Sequence, residues 1–66
     1  MHLILNGEER RFPDLATIAD LVACLELDAR KVAVERNLEI VPRSAYQTTA
    51  IADRDRIEIV HFIGGG

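Results

Sequence analysis

The sequence has a single cysteine, Cys24, among 66 residues, so it cannot form an internal disulfide bond. Its two histidines, His2 and His61, are far apart in the chain, and no spacing typical of a metal site is present. Only 5% of the residues are aromatic. A domain of this size buries only about 60% of the surface that its unfolded chain exposes. Aliphatic side chains must therefore supply the core unaided.

Basic residues are few and dispersed. The formal net charge is −3, and Arg10-Arg11 and Arg30-Lys31 are isolated pairs of cations. Nucleic-acid binding requires clustered cations, so this function is disfavoured. No apolar run is long enough to span a bilayer, and no charged segment followed by an apolar stretch marks a secretory signal. We therefore expect a cytoplasmic protein that binds neither nucleic acid nor membrane.

The first twelve residues predict a β-hairpin. Asn6-Gly7 is a strong turn signal because both residues tolerate positive φ. It separates an apolar strand, His2–Leu5, from a charged return strand, Glu8–Phe12. The charges favour a position at a sheet edge for this second strand, with Phe12 as its inward anchor.

One helix follows the hairpin. Thr17 is a good N-cap, and Asp20 three residues later resembles the acidic partner of a capping box. Apolar residues at positions i, i+3, i+4 and i+7 then form one continuous stripe. The pattern predicts a helix from about Ile18 to Leu25 or Glu26.

The second half predicts short extended segments and one long apolar strand. The predicted pieces are a strand at Lys31–Arg36, a turn at Asn37, a brief strand at Glu39–Val41, a helical turn at Ser44–Tyr46, an extended piece at Thr48–Ile51 and a final strand at Ile57–Ile63. A single helix cannot separate many parallel strands, so the pattern indicates an α+β fold with one mixed sheet and the helix on one face. The final strand is the most apolar element and should lie centrally, beside the first strand.

The last three residues are Gly64, Gly65 and Gly66. Glycines have no side chain to pack and no preferred backbone region, so they add nothing to a core. A thin, flexible tail can carry its carboxyl group into a narrow channel of a partner, whereas the alternative is a frayed end or a linker remnant. We expect a folded domain over residues 1–63 and a flexible tail over 64–66.

The sequence resembles the ThiS family, the ubiquitin-like β-grasp sulfur carriers of thiamine thiazole biosynthesis, over its whole length. The resemblance is carried by the opening Leu3–Gly7, by Ala33–Asn37 followed by Ile40–Arg43, by Asp53–Val60 and by the terminal glycines. It implies a β-grasp domain whose mixed sheet has about four to five strands and one main helix. In such carriers the acidic turn often reads Asp-Gly-Asp, and here Arg54 takes the place of the glycine.

The resemblance also implies a chemistry for the tail. A ThiF-like adenylating enzyme, using ATP and magnesium, would join AMP to the Gly66 carboxylate. A persulfide donor such as a cysteine desulfurase would then displace AMP and leave a thiocarboxylate. A ThiG-like thiazole synthase would take that sulfur. The carrier itself would bind no cofactor or metal, and it would be a protein co-substrate and not an enzyme.

The family fold implies two faces for the strands, because side chains alternate along a strand. Ile57 and Ile59 would face the helix, as would Leu3 and Leu5 on the first strand. Ile4, Val60 and Phe62 would face outward and form an exposed apolar patch near the tail. Such patches often mark partner sites, so these three residues are the predicted partner surface, and Gly64 and Gly65 would thread the partner's channel.

Three other functions remain possible at this stage. The small subunit of molybdopterin synthase shares the fold and the glycine ending, although the segment Ile40–Arg43 favours the thiazole route. A ubiquitin-like protein tag would form an amide bond to lysine and would hold no sulfur. An autonomous enzyme is least favoured, because the sequence has no paired carboxylates, catalytic triad or phosphate loop.

Isolated polar residues have simpler interpretations. Cys24 lies near the edge of the apolar stripe of the helix, and we expect it to be packed and inert. A lone histidine in a strand such as His61 is expected to be structural. Arg36 and Arg43 are candidates for contacts with an acidic partner, although solvated charge is the simpler expectation for both.

Overall fold

The computed structural model describes residues 1–62, and these residues form a five-stranded mixed sheet with one α-helix against one face. The elements are β1 (His2–Leu5), β2 (Glu8–Arg11), α1 (Ile18–Cys24), β3 (Val32–Arg36), β4 (Glu39–Val41) and β5 (Arg56–His61), with short 3₁₀ helices at Ala29–Lys31 and Arg43–Ala45. The α+β class, the mixed sheet and the main helix agree with the prediction. Ile63 and the three glycines lie outside the described residues.

The sheet has the order β2-β1-β5-β3-β4, so β5 is its central strand. Strands β1 and β5 run parallel, and the other neighbouring pairs are antiparallel. The predicted position of the last strand, central and beside the first, is confirmed. The charged strand β2 lies at an edge, as its composition indicated.

Two tight turns of the same kind connect the antiparallel hairpins. Asn6 and Gly7 have φ values of 50° and 82°, and Asn37 and Leu38 have φ values of 51° and 71°. Two-residue loops with positive φ at both positions match the twist of the strands that they join. Leu38 is an unusual residue for this conformation, and its side chain is 73% exposed, so burial does not offset the strain.

Helix α1 begins at a complete capping box. The Thr17 hydroxyl accepts from the Asp20 amide at 3.3 Å, and the Asp20 carboxylate accepts from the Thr17 amide at 3.2 Å. The buried side chains of the helix then pack on the inward residues of the sheet. The core consists of Leu3, Leu5, Phe12, Ile18, Leu21, Val22, Val32, Val34, Val41, Tyr46, Ile51, Ile57 and Ile59.

Two local predictions need correction. The helical turn predicted at Ser44–Tyr46 begins one residue earlier, at Arg43. The segment predicted to be extended, Thr48–Ile51, contributes only a single bridge, between Ala50 and Thr17. The hydroxyls and amides of Thr48 and Thr49 all donate to the Ala45 carbonyl, so these residues continue the preceding turn and pair with no strand.

Asp55 is a buried carboxylate that joins the end of β3 to the segment just before β5. It accepts hydrogen bonds from Arg36 Nε at 2.7 Å, from the Ala52 amide at 2.9 Å and from Asn37 Nδ2 at 3.1 Å. Burial alone would raise the pKa of Asp55, but the hydrogen bonds from Ala52, Asn37 and Arg36 outweigh it and hold the pKa below its usual value. The group is therefore ionised in the folded protein at neutral pH.

We expect Asp55→Ala to lower the free energy of unfolding by about 2–3 kcal/mol, because it leaves the donors of three partly buried hydrogen bonds without their acceptor. In a domain of this size that corresponds to a fall in melting temperature of roughly 10 °C or more. Thermal unfolding followed by circular dichroism measures it. Asp14→Ala is the control, since the Asp14 side chain is fully exposed.

The lowered pKa of Asp55 predicts that the stability lost in Asp55→Ala depends on pH. The pKa of Asp55 is lower in the folded than in the unfolded state. The contribution of its ionised carboxylate to the free energy of unfolding is therefore complete above the unfolded pKa of about 3.9. The contribution is lost as the pH falls through the folded pKa. The stability gap between wild type and Asp55→Ala should therefore narrow below about pH 4, and a gap that stayed constant down to pH 2 would contradict the assignment.

Candidate functional site

The carboxyl end of β5 presents two apolar side chains to solvent. Ile57 and Ile59 are buried against the helix, whereas Val60 is 60% exposed and Phe62 is 55% exposed. Strand alternation produces this division, and the two predicted faces of β5 are confirmed. On β1, Leu3 and Leu5 are likewise buried and Ile4 is half-buried.

The chain is still held to the sheet at Phe62. The Phe62 amide donates to the Lys31 carbonyl at 2.8 Å, which extends the β3–β5 pairing by one position. Lys31 ends a 3₁₀ helix capped by Asp28, whose carboxylate accepts from the amide and the guanidinium of Arg30 at 2.9–3.1 Å. The Arg30 guanidinium lowers the pKa of Asp28 to about 2. These contacts define the point at which the chain leaves the described fold.

A continuous apolar surface surrounds that point, and we call Ala33, Ile40, Val60 and Phe62 the tail-side surface. Val60 lies directly opposite Ala33 in the β3–β5 pairing. Ala33, Ile40 and Phe62 share the lining of a shallow depression of about 340 Å³. Ile40 is 79% exposed, although it lies on the edge strand β4. Exposed apolar side chains grouped in this way mark sites of partner binding.

Ile4 lies apart from the tail-side surface. Its pairing partner on β5 is Arg56, four residues before Val60. At roughly 3.3 Å per residue, this separates them by about 13 Å along the strand. Ile4 instead shares a hollow with Leu38 and Arg54 at the opposite end of the sheet. The structure thus brings Val60 and Phe62 together, but it does not extend their patch to Ile4.

Two members of the tail-side surface were not identified from the sequence. Ile40 carries a readable signal, because it alternates with the buried Val41 in a short strand and must therefore face outward. Ala33 has the same signal, since it lies between the buried Val32 and Val34, but its position beside Val60 follows only from the strand pairing.

Two isolated side chains, Cys24 and Arg36, differ from expectation. Cys24 is exposed at the end of α1, so the prediction that it is packed is wrong. The apolar stripe covers positions 18, 21, 22 and 25, and Cys24 falls beyond the edge of that stripe. His61 is also exposed. Arg36 is bound to Asp55 within the fold, whereas Arg43 is exposed beside the tail-side surface.

Within residues 1–62, no three histidine, cysteine or carboxylate side chains are grouped so that they could hold a metal ion. No helix in this part of the chain is long and apolar enough to cross a membrane. What the described residues offer is a binding surface beside the exit point of the chain. The predicted tail residues Gly64, Gly65 and Gly66 follow that point and lie outside the described residues.

Comparisons with known proteins agree on one family. The model of the ThiS family matches residues 3–66. The sulfur carrier protein ThiS of Bacillus subtilis is 48% identical over 65 residues, which are 97% of this chain and 98% of that protein. A thiazole synthase of Paramagnetospirillum magneticum is 58% identical over all 66 residues. The chain spans only 20% of the length of that synthase.

A solved structure agrees with the fold. The crystal structure of a thiamine biosynthesis protein (ThiS) from Geobacter metallireducens superimposes with a TM-score of 0.85 and 32% sequence identity, and the match covers 100% of both chains. The predicted ubiquitin-like β-grasp fold is confirmed.

The face assignment predicts that two neighbouring truncations differ in how much they destabilise the fold. Ile59→Ala should lower the free energy of unfolding by about 2–5 kcal/mol, because it empties space in the core. Val60→Ala removes a largely exposed side chain and should cost less than about 1 kcal/mol. Denaturant unfolding of both variants measures the difference. A larger loss for Val60→Ala than for Ile59→Ala would mean that the faces are reversed.

Proposed function

The chain belongs to the ThiS family, and we propose that it is a sulfur carrier for the thiazole part of thiamine. The observation that carries the proposal is the placement of Val60 and Phe62, which offer a partner an apolar surface immediately before the glycine sequence. The carrier in this proposal is a co-substrate of other enzymes and catalyses no step itself. Its folded body supplies binding energy, and its tail supplies the reacting group.

The reacting group in this proposal is the carboxyl group of Gly66. A carboxylate is a poor electrophile because its leaving group would be oxide. Attack of the carboxylate on the α-phosphate of ATP gives an acyl adenylate and releases pyrophosphate. A persulfide sulfur then attacks the acyl carbon, and AMP leaves. A thiol finally breaks the sulfur–sulfur bond of the acyl disulfide, which forms a new disulfide and leaves a thiocarboxylate on Gly66.

Three partners follow from this sequence of reactions. A ThiF-like adenylating enzyme would use ATP and magnesium, a cysteine desulfurase would supply persulfide sulfur, and a ThiG-like thiazole synthase would consume the thiocarboxylate. The thiazole synthases of Paramagnetospirillum magneticum and Magnetococcus marinus support the last pairing, because each contains a segment similar to this chain. Consumption of ATP also favours a cytoplasmic location.

Partner binding in this proposal uses the tail-side surface. Val60 lies on the side of the sheet away from the helix, and Phe62 is exposed two residues later, so an enzyme that binds the tail would cover both side chains. Holding the body orients the tail end, which is how remote binding accelerates a reaction at a distant atom. Ile4 remains a predicted contact, at the far end of the same face.

The sulfur-transfer step predicts a mass change on one residue. Incubation of the chain with the adenylating enzyme, ATP, magnesium and a persulfide source should exchange one oxygen of Gly66 for sulfur. Intact-mass measurement followed by fragmentation locates the change. It should require ATP, because an unactivated carboxylate has no adequate leaving group.

Cys24→Ser is the essential control for this experiment, since Cys24 is exposed and can itself accept a persulfide. The variant should gain sulfur normally. A gain that follows Cys24, or that persists without ATP, would contradict the carrier function. An amide bond from Gly66 to a lysine would instead identify a protein tag.

Substitution of the last glycine should separate folding from activation. Gly66→Ala should leave the melting temperature unchanged, because the last described strand ends at His61 and a glycine has no side chain to contribute to the core. It should reduce ATP–pyrophosphate exchange with the adenylating enzyme by roughly 100-fold, since a methyl group in a glycine-width channel displaces the carboxyl group from the reactive phosphate. Normal exchange by this variant would argue against the threaded-tail arrangement.

A further inference from the structure

Two carboxylates lie directly opposite each other on the outward face of the sheet. Glu35 of β3 and Glu58 of β5 are paired residues of adjacent antiparallel strands. Side chains at such positions have Cβ atoms about 5 Å apart, and like charges there destabilise the sheet. Within residues 1–62, no arginine, lysine or terminal amine forms an ion pair with either carboxylate. No ion pair within the described residues therefore offsets this repulsion, and Arg56, the outward residue before Glu58 on β5, is not paired with either carboxylate.

The two carboxylates adjoin the tail-side surface. Along β5, Val60 is the next outward residue after Glu58, and along β3, Ala33 is the next outward residue before Glu35. On β4, Ile40 lies directly opposite Glu35. The pair of negative charges is thus bordered on two sides by apolar side chains. A partner that covered those side chains would also remove water from the carboxylates, which strengthens a charge-assisted hydrogen bond formed there.

We infer that the adenylating enzyme docks on the tail-side surface with a lysine or arginine side chain placed between Glu35 and Glu58. The inference rests on the proposed function and names the partner chemistry of that surface. The cation would relieve the repulsion between the two carboxylates. The pair would therefore destabilise the free chain and stabilise the complex. The charges would also fix the register of docking, which an apolar contact alone leaves unspecified.

Charge complementarity disfavours other occupants of this face. A second copy of the chain, packed about a two-fold axis through the pair, would bring four carboxylates together. Nucleic acid would be repelled by the same charges. A cationic side chain within an apolar surface is the chemistry that satisfies both parts of this face.

The test compares two variants that each lose two negative charges. Glu35→Gln with Glu58→Gln removes the opposed pair. Glu8→Gln with Glu26→Gln is the matched control: both residues are exposed, Glu8 pairs with the inward Leu5, and Glu26 follows the end of α1, so both lie away from the outward face. Affinity for the purified adenylating enzyme is measured by calorimetry at several salt concentrations, together with the melting temperature and the state of association of each variant.

The Glu35/Glu58 variant should bind at least tenfold more weakly than the control variant, with a smaller dependence on salt, while its melting temperature rises by roughly 2–5 °C. Equal affinities of the two variants would overturn the inference, as would self-association of the wild type through this face. The proposed function is tested separately by ATP-dependent sulfur transfer to wild-type Gly66. If the wild type gains sulfur and the two variants bind equally well, only the docking inference fails.

Discussion

Asp55 holds the start of the central strand against both of its neighbours in the sheet. Its carboxylate binds the end of β3 and the turn before β5, and its carbonyl accepts from the Ile4 amide on β1 at 2.9 Å. Because side chains alternate along a strand, a shift of one residue in β5 would turn Ile57 and Ile59 to solvent and Val60 to the core. The apolar core and the tail-side surface therefore depend on the same strand register, which Asp55 helps to hold.

Local patterns in the sequence predicted the elements well but not their contacts. The Asn6-Gly7 hairpin, the capped helix and the apolar last strand all have short-range signals, and all three form as expected. Alternation also gave the correct faces of β1 and β5. It could not place Ile4 relative to Val60, because pairing register depends on residues distant in the sequence. The same limit concealed the opposition of Glu35 and Glu58.

The misplaced local elements have identifiable causes. Thr48 and Thr49 have high strand propensity, but their hydroxyls bind the Ala45 carbonyl and extend a turn.

The burial of Asp55 could not be predicted from the sequence, because aspartate is almost never fully buried unless it is paired. Its partners, Arg36 and Asn37, lie eighteen or more residues away. The family resemblance indicated an acidic turn there, but not its role inside the fold.

Strain and unfavourable charge are concentrated away from the helix-facing core. Leu38 and Arg54 have φ values of 71° and 70°, a conformation that suits glycine, and both side chains are exposed. Arg54 thus keeps the turn geometry that glycine would supply at this position, and its amide donates to the His2 carbonyl at 2.6 Å. The free energy of unfolding of a small domain is only a few kcal/mol. The packing of the helix against the sheet must therefore offset the backbone strain and the charge repulsion.

The central position of β5 also has a consequence for synthesis on the ribosome. Strands β1 and β3 flank β5 and have no direct pairing with each other, so the four earlier strands emerge as two separate hairpins. Until residues 56–61 have left the ribosome, Leu3 and Val34 lack the strand that lies between them. The nascent domain therefore exposes apolar side chains and open strand edges until its central strand has emerged, and such exposed surfaces promote aggregation.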